Sequence, residues 1–376
     1  SDKSPTFIIA EAANNHMCDM KIAKKLVDNA CVAGADAIKF QTYKANRLVR
    51  KEATLYWDGK ETSQLEYYSN LDKFDKDDYI ELFDYAIKKG ILPFSTPFDV
   101  HSASMLNDLS ARLYKIASCD LPDKRLLRHV ASFDKPIILS TGGSTLDEID
   151  QAIDVFYQEG NFKIILLACM LSYPTPNKDA NLRKILKLKE RYPWLVIGLS
   201  DHTEPDKNMV IPSLAVALGA KVIEKHYTLD RSLKGSGHFF SVSPEELESM
   251  IENIRLTEIV LGNHEFNVED VELPARKNAR RSIVADKPIA KGVIITSNMI
   301  GMKRPADGLS PSKIDEVIGK KTTKDIGQDE LILMDFVVKN FSQIIPTKQP
   351  AIEESYWSKR TSQDSDIYIN SLMNNL

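Results

Sequence analysis

The stretches Val196-Ile-Gly-Leu-Ser-Asp-His202 and Val222-Ile-Glu-Lys-His-Tyr-Thr228, read together, decide the fold of this chain. Each is a β-branched run that turns polar at its C-terminal end and delivers a histidine there. Between them Met209–Ala220 is apolar and rich in Ala and Leu, long enough for a helix, with Gly219 where a helix stops. A strand, a helix and a strand form a βαβ unit, whose strands run parallel with their C-terminal ends on one side. His202 and His226 are therefore expected on one face of a sheet, near enough to share a divalent metal. Taken singly, a strand-end histidine is more often a hydrogen-bonded surface residue; it is the pair on adjacent strands that points to a metal.

The same unit repeats from residue 7 onward. Strands are expected at Phe7–Ala12, Ala37–Thr42, Leu92–Pro97, Leu113–Ser118, Pro136–Thr141, Ile164–Met170, Val196–Asp201 and Val222–His226. Between them lie amphipathic segments such as Ile22–Ala33, whose Ile22, Ala23, Leu26, Val27 and Ala30 share a helix face. Gly34 and Gly90 supply C-terminal stops. Eight such units in about 260 residues match an α/β fold of the (β/α)8 TIM-barrel type. A doubly wound open sheet competes, but its Gly-x-Gly-x-x-Gly fingerprint after the first strand is missing.

In a barrel of this kind reactive groups gather at the C-terminal strand ends. There the sequence places Glu11 with Asn14, Asn15 and His16, then Lys39 and Gln41, Ser95 and Thr96, and Lys115 and Ser118. Ser140 and Thr141, Tyr173, Ser200 and His202, and Glu224 and His226 complete the ring. Two lysines in buried strands need partners. A phosphate ringed by hydroxyls fits them, and so does a neighbouring carboxylate such as Glu11 or Glu224.

With 376 residues the chain is long enough for two domains. Residues 1–261 form the expected barrel, 262–281 a polar linker without periodicity, 282–341 a small, mostly β domain and 342–376 a polar, flexible tail. In the small domain strand-like runs are expected at Ser282–Ala285, Val293–Ile295 and Leu331–Val337. A net charge of −4 gives no reason to expect nucleic acid. No apolar run is long enough to span a bilayer and no signal-peptide pattern opens the chain. Four scattered cysteines fit a reducing compartment, so the expected location is the cytoplasm.

In order, the motifs are Ile-Ala-Glu11 with Asn15-His16, Ile-Lys39-Phe-Gln41-Thr, Phe-Ser-Thr96-Pro-Phe, Tyr-Lys115-Ile-Ala-Ser118 and Ile-Leu-Ser140-Thr-Gly. They continue with Tyr173-Pro-Thr-Pro, Gly-Leu-Ser200-Asp-His202, Ile-Glu-Lys-His226-Tyr-Thr-Leu-Asp-Arg and Lys-Arg304-Pro. Over roughly residues 5–340 this resembles the sialic acid (N-acetylneuraminate) synthase family. The resemblance implies a barrel that condenses phosphoenolpyruvate (PEP) with an open-chain acylamino-mannose sugar, releasing phosphate and a nine-carbon 2-keto acid. It implies that the small domain is an antifreeze-like (SAF) module. It assigns a divalent metal (Mn2+, Mg2+ or Co2+) to His202 and His226, and PEP to Lys39, Thr96, Lys115, Ser118, Ser140 and Ser200. It gives proton handling to Glu11 and Asp120, and the sugar to Gln41, Tyr173 and Arg304, the last reaching a neighbouring subunit's site in a domain-swapped homodimer.

Four positions depart from the family pattern. Asp120 stands where a Glu is usual, Leu171 where some members have an Asn near PEP, and Gly237 where an Asp meets the sugar hydroxyls. The first loop lacks its usual Asn-Gly. Gly237 is expected to leave a larger, less polar sugar pocket, with His238 as a substitute donor. Two other readings remain at this point: condensation of PEP with an aldose phosphate, and a sugar-binding relative without activity.

Overall fold

The computed structural model describes residues 4–55, 63–235 and 237–338. The expected tail, 342–376, lies outside the described residues. Eight parallel strands close into a barrel in sequence order: β1 (Phe7–Ala13), β2 (Ala37–Thr42), β3 (Leu92–Pro97), β4 (Tyr114–Ile116), β5 (Ile137–Ser140), β6 (Ile164–Cys169), β7 (Val196–Asp201) and β8 (Val222–His226). β8 pairs back onto β1, with Glu11 opposite His226. All eight expected strands are present. β4 is shorter than expected because Ser118–Asp120 leaves the ladder as a 3-10 turn.

Local signals place the helices. Asp19 accepts from the backbone of Lys21 and Ile22 and so starts Met20–Val32, whose Ala23, Leu26, Val27 and Ala30 are buried. Gly90 ends Lys76–Lys89 with φ +86, a left-handed conformation that suits a residue without Cβ. The helix between β7 and β8 is Val210–Ala217, shorter than Met209–Ala220 because Met209 itself turns left-handed.

Strand alternation divides the core in two. Outward residues such as Ile8, Ile38, Tyr114, Leu139, Leu166, Leu199 and Ile223 pack against the helices. Inward residues Ile9, Ala37, Phe94, Leu113, Ile138, Leu167 and Val222 plug the lower barrel. Gly198 completes that layer, since a Cβ there would lie 2.3 Å from the Val222 carbonyl oxygen and 2.6 Å from Leu167. Above the plug the inward positions include Glu11, Lys39, Gln41, Thr96, Lys115, Ser140, Cys169, Ser200, Glu224 and His226.

One buried polar cluster faces outward and pins the turn that carries His202. Lys225 Nζ, 1% exposed, donates to Asp201 Oδ2 at 2.7 Å and to the Thr203 carbonyl. Asp201 Oδ1 accepts from the Thr203 amide and hydroxyl, and the His202 carbonyl accepts from the Thr175 amide at 2.9 Å.

The chain divides into two units, Ser1–Asn263 and His264–Leu376. The segment expected as a linker contains a helix, Leu273–Ala279, docked in the second unit by the Ala306 amide on the Lys277 carbonyl. Its seven residues are too few to show a period, which is why the sequence reads as unstructured there. In the second unit β9 (Ser282–Ala285) pairs antiparallel with β10 (Ile300–Lys303), a strand that was not expected. The runs expected at 293–295 and 331–337 enter isolated bridges only: Ile294 with Lys321, Val284 with Leu331 and Thr322 with Val337. Ile283, Ile289, Ile295, Val317, Ile326 and Ile332 form a separate small core.

Removing Lys225 tests what pins the β7 turn. Lys225→Met leaves Asp201 charged and unpaired in the interior, which is expected to cost about 3–5 kcal/mol. Urea titration of the variant reads this as a lowered barrel midpoint. Pairing it with Asp201→Leu recovers most of the loss; an unchanged midpoint in the single variant refutes the role.

Candidate active site

The upper inward layer brings Glu11, Lys39, Gln41, Thr96, Lys115, Ser140, Ser200, His202, Glu224 and His226 to the C-terminal mouth. Register does this: Glu11 lies opposite Lys39, Gln41 opposite Thr96, and Ser200 opposite Glu224. Lys39 Nζ lies 2.8 Å from Glu11 Oε2, 3.8 Å from Glu224 Oε2, and donates to Thr96 Oγ1 at 2.9 Å. Lys115 Nζ is 3.5 Å from Glu224 Oε1, which also accepts from Ser200 Oγ at 2.9 Å. Of the two partners left open for the strand lysines, the carboxylates are the ones they meet within the protein itself. Glu224, noted in the sequence only as such a partner, is the hub of the cluster; its inward parity with His226 was the available signal.

Electrostatics separates the two glutamates. Burial pushes the Glu11 carboxyl up to about 7 against the pull of Lys39, with the neighbouring Glu224 charge adding to the rise. Burial also acts on Glu224, but Lys115 and Lys39 outweigh it and hold that carboxyl below its usual range. Two adjacent carboxylates thus favour one proton, held on Glu11. Burial lowers Lys115. Asp120, on the turn after β4, is likewise pushed up to about 7 by burial.

The histidine rings lie 5.4 Å apart, centroid to centroid. His202 Nδ1 sits 2.7 Å from the Met170 carbonyl oxygen, to which it donates; burial pulls this imidazole down, but Cys169 and that carbonyl outweigh it and raise it above its ordinary value. His226 Nδ1 is buried without a hydrogen bond. Burial, together with His202 and the nearby lysines, keeps His226 neutral at physiological pH, the form that binds metals. Among the described residues no group of three or more His, Cys, Asp and Glu converges as a metal site. Two nitrogens with further positions left to water and substrate fit an open catalytic ion better than a closed structural one. Ser140 Oγ and Asp120 Oδ2 also lack hydrogen bonds although buried. Unsatisfied polar atoms converging on one mouth are what a polar ligand would satisfy.

The other expected residues fall as follows. Ser118 Oγ accepts from the Gly142 amide at 2.9 Å. Gln41 donates to Glu11 at 3.2 Å and accepts from Asn14 at 3.0 Å. Tyr173 lies over His202, ring centroids 4.2 Å apart, and is half-exposed at the rim. Arg304 belongs to the second unit, is exposed, and has no ion pair among the described residues.

Two expectations are corrected. Gly237 leaves no enlarged pocket: a Cβ there would lie 3.0 Å from the Phe240 ring, which fills the space and stands 4.9 Å from His226. That wall is less polar, as expected, but not larger. His238 is no substitute donor, being fully buried with Nδ1 2.7 Å from Thr228 Oγ1. In the first loop His16 is also a core residue, stacked on Phe74 at 4.6 Å.

The NeuB family model matches residues 26–266 and the SAF domain model residues 280–338. The chain is similar to the N,N'-diacetyllegionaminic acid synthase of Campylobacter jejuni, 38% identical over 87% of this chain and 98% of that protein. It is also similar to the pseudaminic acid synthase of the same species, 37% identical over 85% of this chain and 93% of that protein. A crystal structure of N-acetylneuraminic acid synthetase from Leptospira borgpetersenii in complex with citrate matches 72% of this chain and 90% of that one, with TM-score 0.65 and 37% identity. On these matches, and with the barrel and its strand-end cluster in place, the chain belongs to the NeuB family, the sialic acid synthase family that its motifs resemble.

Proposed function

We propose that this protein condenses PEP with an N-acylmannosamine-type sugar, giving a nine-carbon 2-keto acid and inorganic phosphate. The observation that carries the reading is the pair of buried lysines, Lys39 and Lys115, set among hydroxyls in the same mouth as His202 and His226. Lys39, Thr96, Lys115, Ser118, Ser140 and Ser200 bind PEP. Ammonium groups take its phosphate and carboxylate, and Ser140, unpartnered in the protein alone, gains an acceptor. A divalent ion (Mn2+, Mg2+ or Co2+) held by His202 and His226 supplies Lewis-acid polarisation of the sugar carbonyl.

The remaining steps are proton transfers and orientation. PEP C3 forms the new bond to the aldehyde carbon, and the aldehyde oxygen takes a proton from Glu11, whose carboxyl is half-protonated near neutral pH. Water adds at PEP C2, losing one proton to Asp120; the bond from C2 to the phosphate ester oxygen then breaks, and the C2 hydroxyl proton leaves with the phosphate as the 2-keto group forms. Asp120 is one methylene shorter than the family's usual Glu, so its reach to that water is the tighter constraint. Gln41 and Tyr173 orient the sugar. Leu171, half-exposed, and the Phe240 wall make the mouth apolar. Such a surface suits a sugar carrying a further acylamino group or a deoxy position, in keeping with the names of the relatives.

Arg304 is read as completing the sugar site of a second copy, in a domain-swapped homodimer. Support comes from Arg304 lying in the small unit and from exposed Leu256, Ile259 and Val260 on one face of the helix Pro244–Leu261, an apolar patch that a second copy would cover. No helix among the described residues is long and apolar enough to cross a membrane; a cytoplasmic location is the reading that fits four free cysteines.

Phosphate release with PEP and a panel of aldoses tests the reaction. Release is expected with N-acylmannosamine-type sugars, is highest for those with a second acylamino or deoxy position, and is lost in chelator and in His202→Ala. Preference for an aldose phosphate, or full activity in excess chelator, overturns it.

Asp120 gives a pH signature. A carboxyl raised to about 7 in the fold contributes stability at low pH that is lost as pH rises from its ordinary value near 4 through 7. Asp120→Asn is therefore expected to melt several degrees above the wild type at pH 8 and close to it at pH 4.5. Equal melting temperatures at both pH values contradict the burial of this carboxyl.

Subunit exchange tests the swap. Arg304→Ala and His202→Ala are each expected to be inactive, and mixing them should restore up to about a quarter of wild-type activity. The mixed dimer, about half of the population, then has one intact site of two. Exchange without recovery rules the swap out.

A further inference from the structure

Cys169 is a residue of the upper inward layer that the proposed reaction leaves without a task. It ends β6, is 3% exposed, and lies opposite Ser200 in the register. Its sulfur sits at a junction. Sγ is 3.7 Å from His202 Nδ1 and 3.7 Å from the Met170 carbonyl oxygen, the same oxygen that accepts from His202 at 2.7 Å. On its other side a Cβ added at Gly142 would come within 3.1 Å of Sγ, 2.8 Å of Ser118 Oγ and 3.1 Å of the Leu171 amide. The sulfur therefore fills the corner between the imidazole of His202 and the Gly142 backbone, whose amide donates to Ser118.

We propose that Cys169 is a positioning residue that locks the His202 ring, and that Gly142 is required to be glycine so that this sulfur can stay there. The inference rests on the reading that His202 holds the metal. Tyr173 covers one face of the His202 ring, and the Met170 carbonyl fixes its Nδ1. Removing the sulfur opens a gap beside Nδ1. The ring can then turn about its Cβ–Cγ bond, and Nε2 no longer points steadily to the mouth. Groups behind a ligating histidine act in this way through orientation, and their loss typically weakens metal binding about 10–100-fold. A cysteine does this where an alanine cannot, because the sulfur both fills space and shares a weak hydrogen bond with the Met170 carbonyl. Crowding from a residue 142 side chain would act from the opposite direction, displacing Sγ and Ser118 Oγ together.

The test uses the full chain and Mn2+ as the probe, with free Mn2+ counted by electron paramagnetic resonance, and steady-state kinetics alongside. Cys169→Ala is expected to weaken Mn2+ binding about tenfold and to lower kcat while the KM for PEP stays within about twofold. Cys169→Ser, which keeps a polar atom at the corner, should restore binding to within about threefold of the wild type. Gly142→Ala should weaken Mn2+ binding and also raise the KM for PEP, because Ser118 moves with the sulfur. Circular dichroism establishes that each variant is folded; a packing role alone lowers the melting temperature and leaves Mn2+ affinity in place. Folded Cys169→Ala that binds Mn2+ as the wild type does, or Cys169→Ser no better than Cys169→Ala, overturns the proposal. Wild-type protein that takes up no Mn2+ defeats the metal reading itself, a result separable from either variant's behaviour.

Discussion

A closed parallel barrel leaves its inward residues nowhere to go. Each strand must point every second side chain into the lumen, and whatever stands there has to be compensated by its neighbours across the axis. In the lower layer that compensation is apolar, with Val222 and Leu167 filling the space that Gly198 vacates. In the upper layer it is ionic. Glu11, Lys39, Lys115 and Glu224 are all at most a few per cent exposed and neutralise one another within 2.8–3.8 Å. No member can be removed without leaving a charge uncompensated in the interior.

That balance makes the site receptive to an anion. With Glu11 about half-protonated near neutral pH, the balance among the four groups shifts toward positive charge. An incoming phosphate or carboxylate can take over the contacts that Glu224 makes to both lysines. Ser200 is already committed to Glu224, so binding there must rearrange an existing hydrogen bond, whereas Ser140 is free to accept a new partner at once. The hydroxyls are therefore not equivalent, although the sequence presents them alike.

The wall beside the histidines follows a different logic. Tyr173 and Phe240 give it an aromatic character, and the Phe240 ring, 3.0 Å from where a Cβ at position 237 would lie, occupies the space next to Gly237. Specificity on such a wall comes from rejecting unsatisfied hydroxyls more than from attracting methyl groups.

The barrel was legible in the sequence because strand period, helix period and glycine stops agree along the whole of residues 7–261. So were most strand-end groups, since alternation from one recognised residue predicts the next inward one. The sequence did not decide which partner each lysine takes. It offered Glu224 only as one possible lysine partner, and it placed His16 and His238 at the mouth, where the structure buries both in the core. Those depend on cross-barrel distances between residues far apart in the chain. Only the tertiary structure brings Phe240 into the place beside Gly237, and only it puts the Cys169 sulfur against His202. The small unit was the least readable part. Its strands are single bridges and one short ladder, held by a separate core that carries no period for sequence to show.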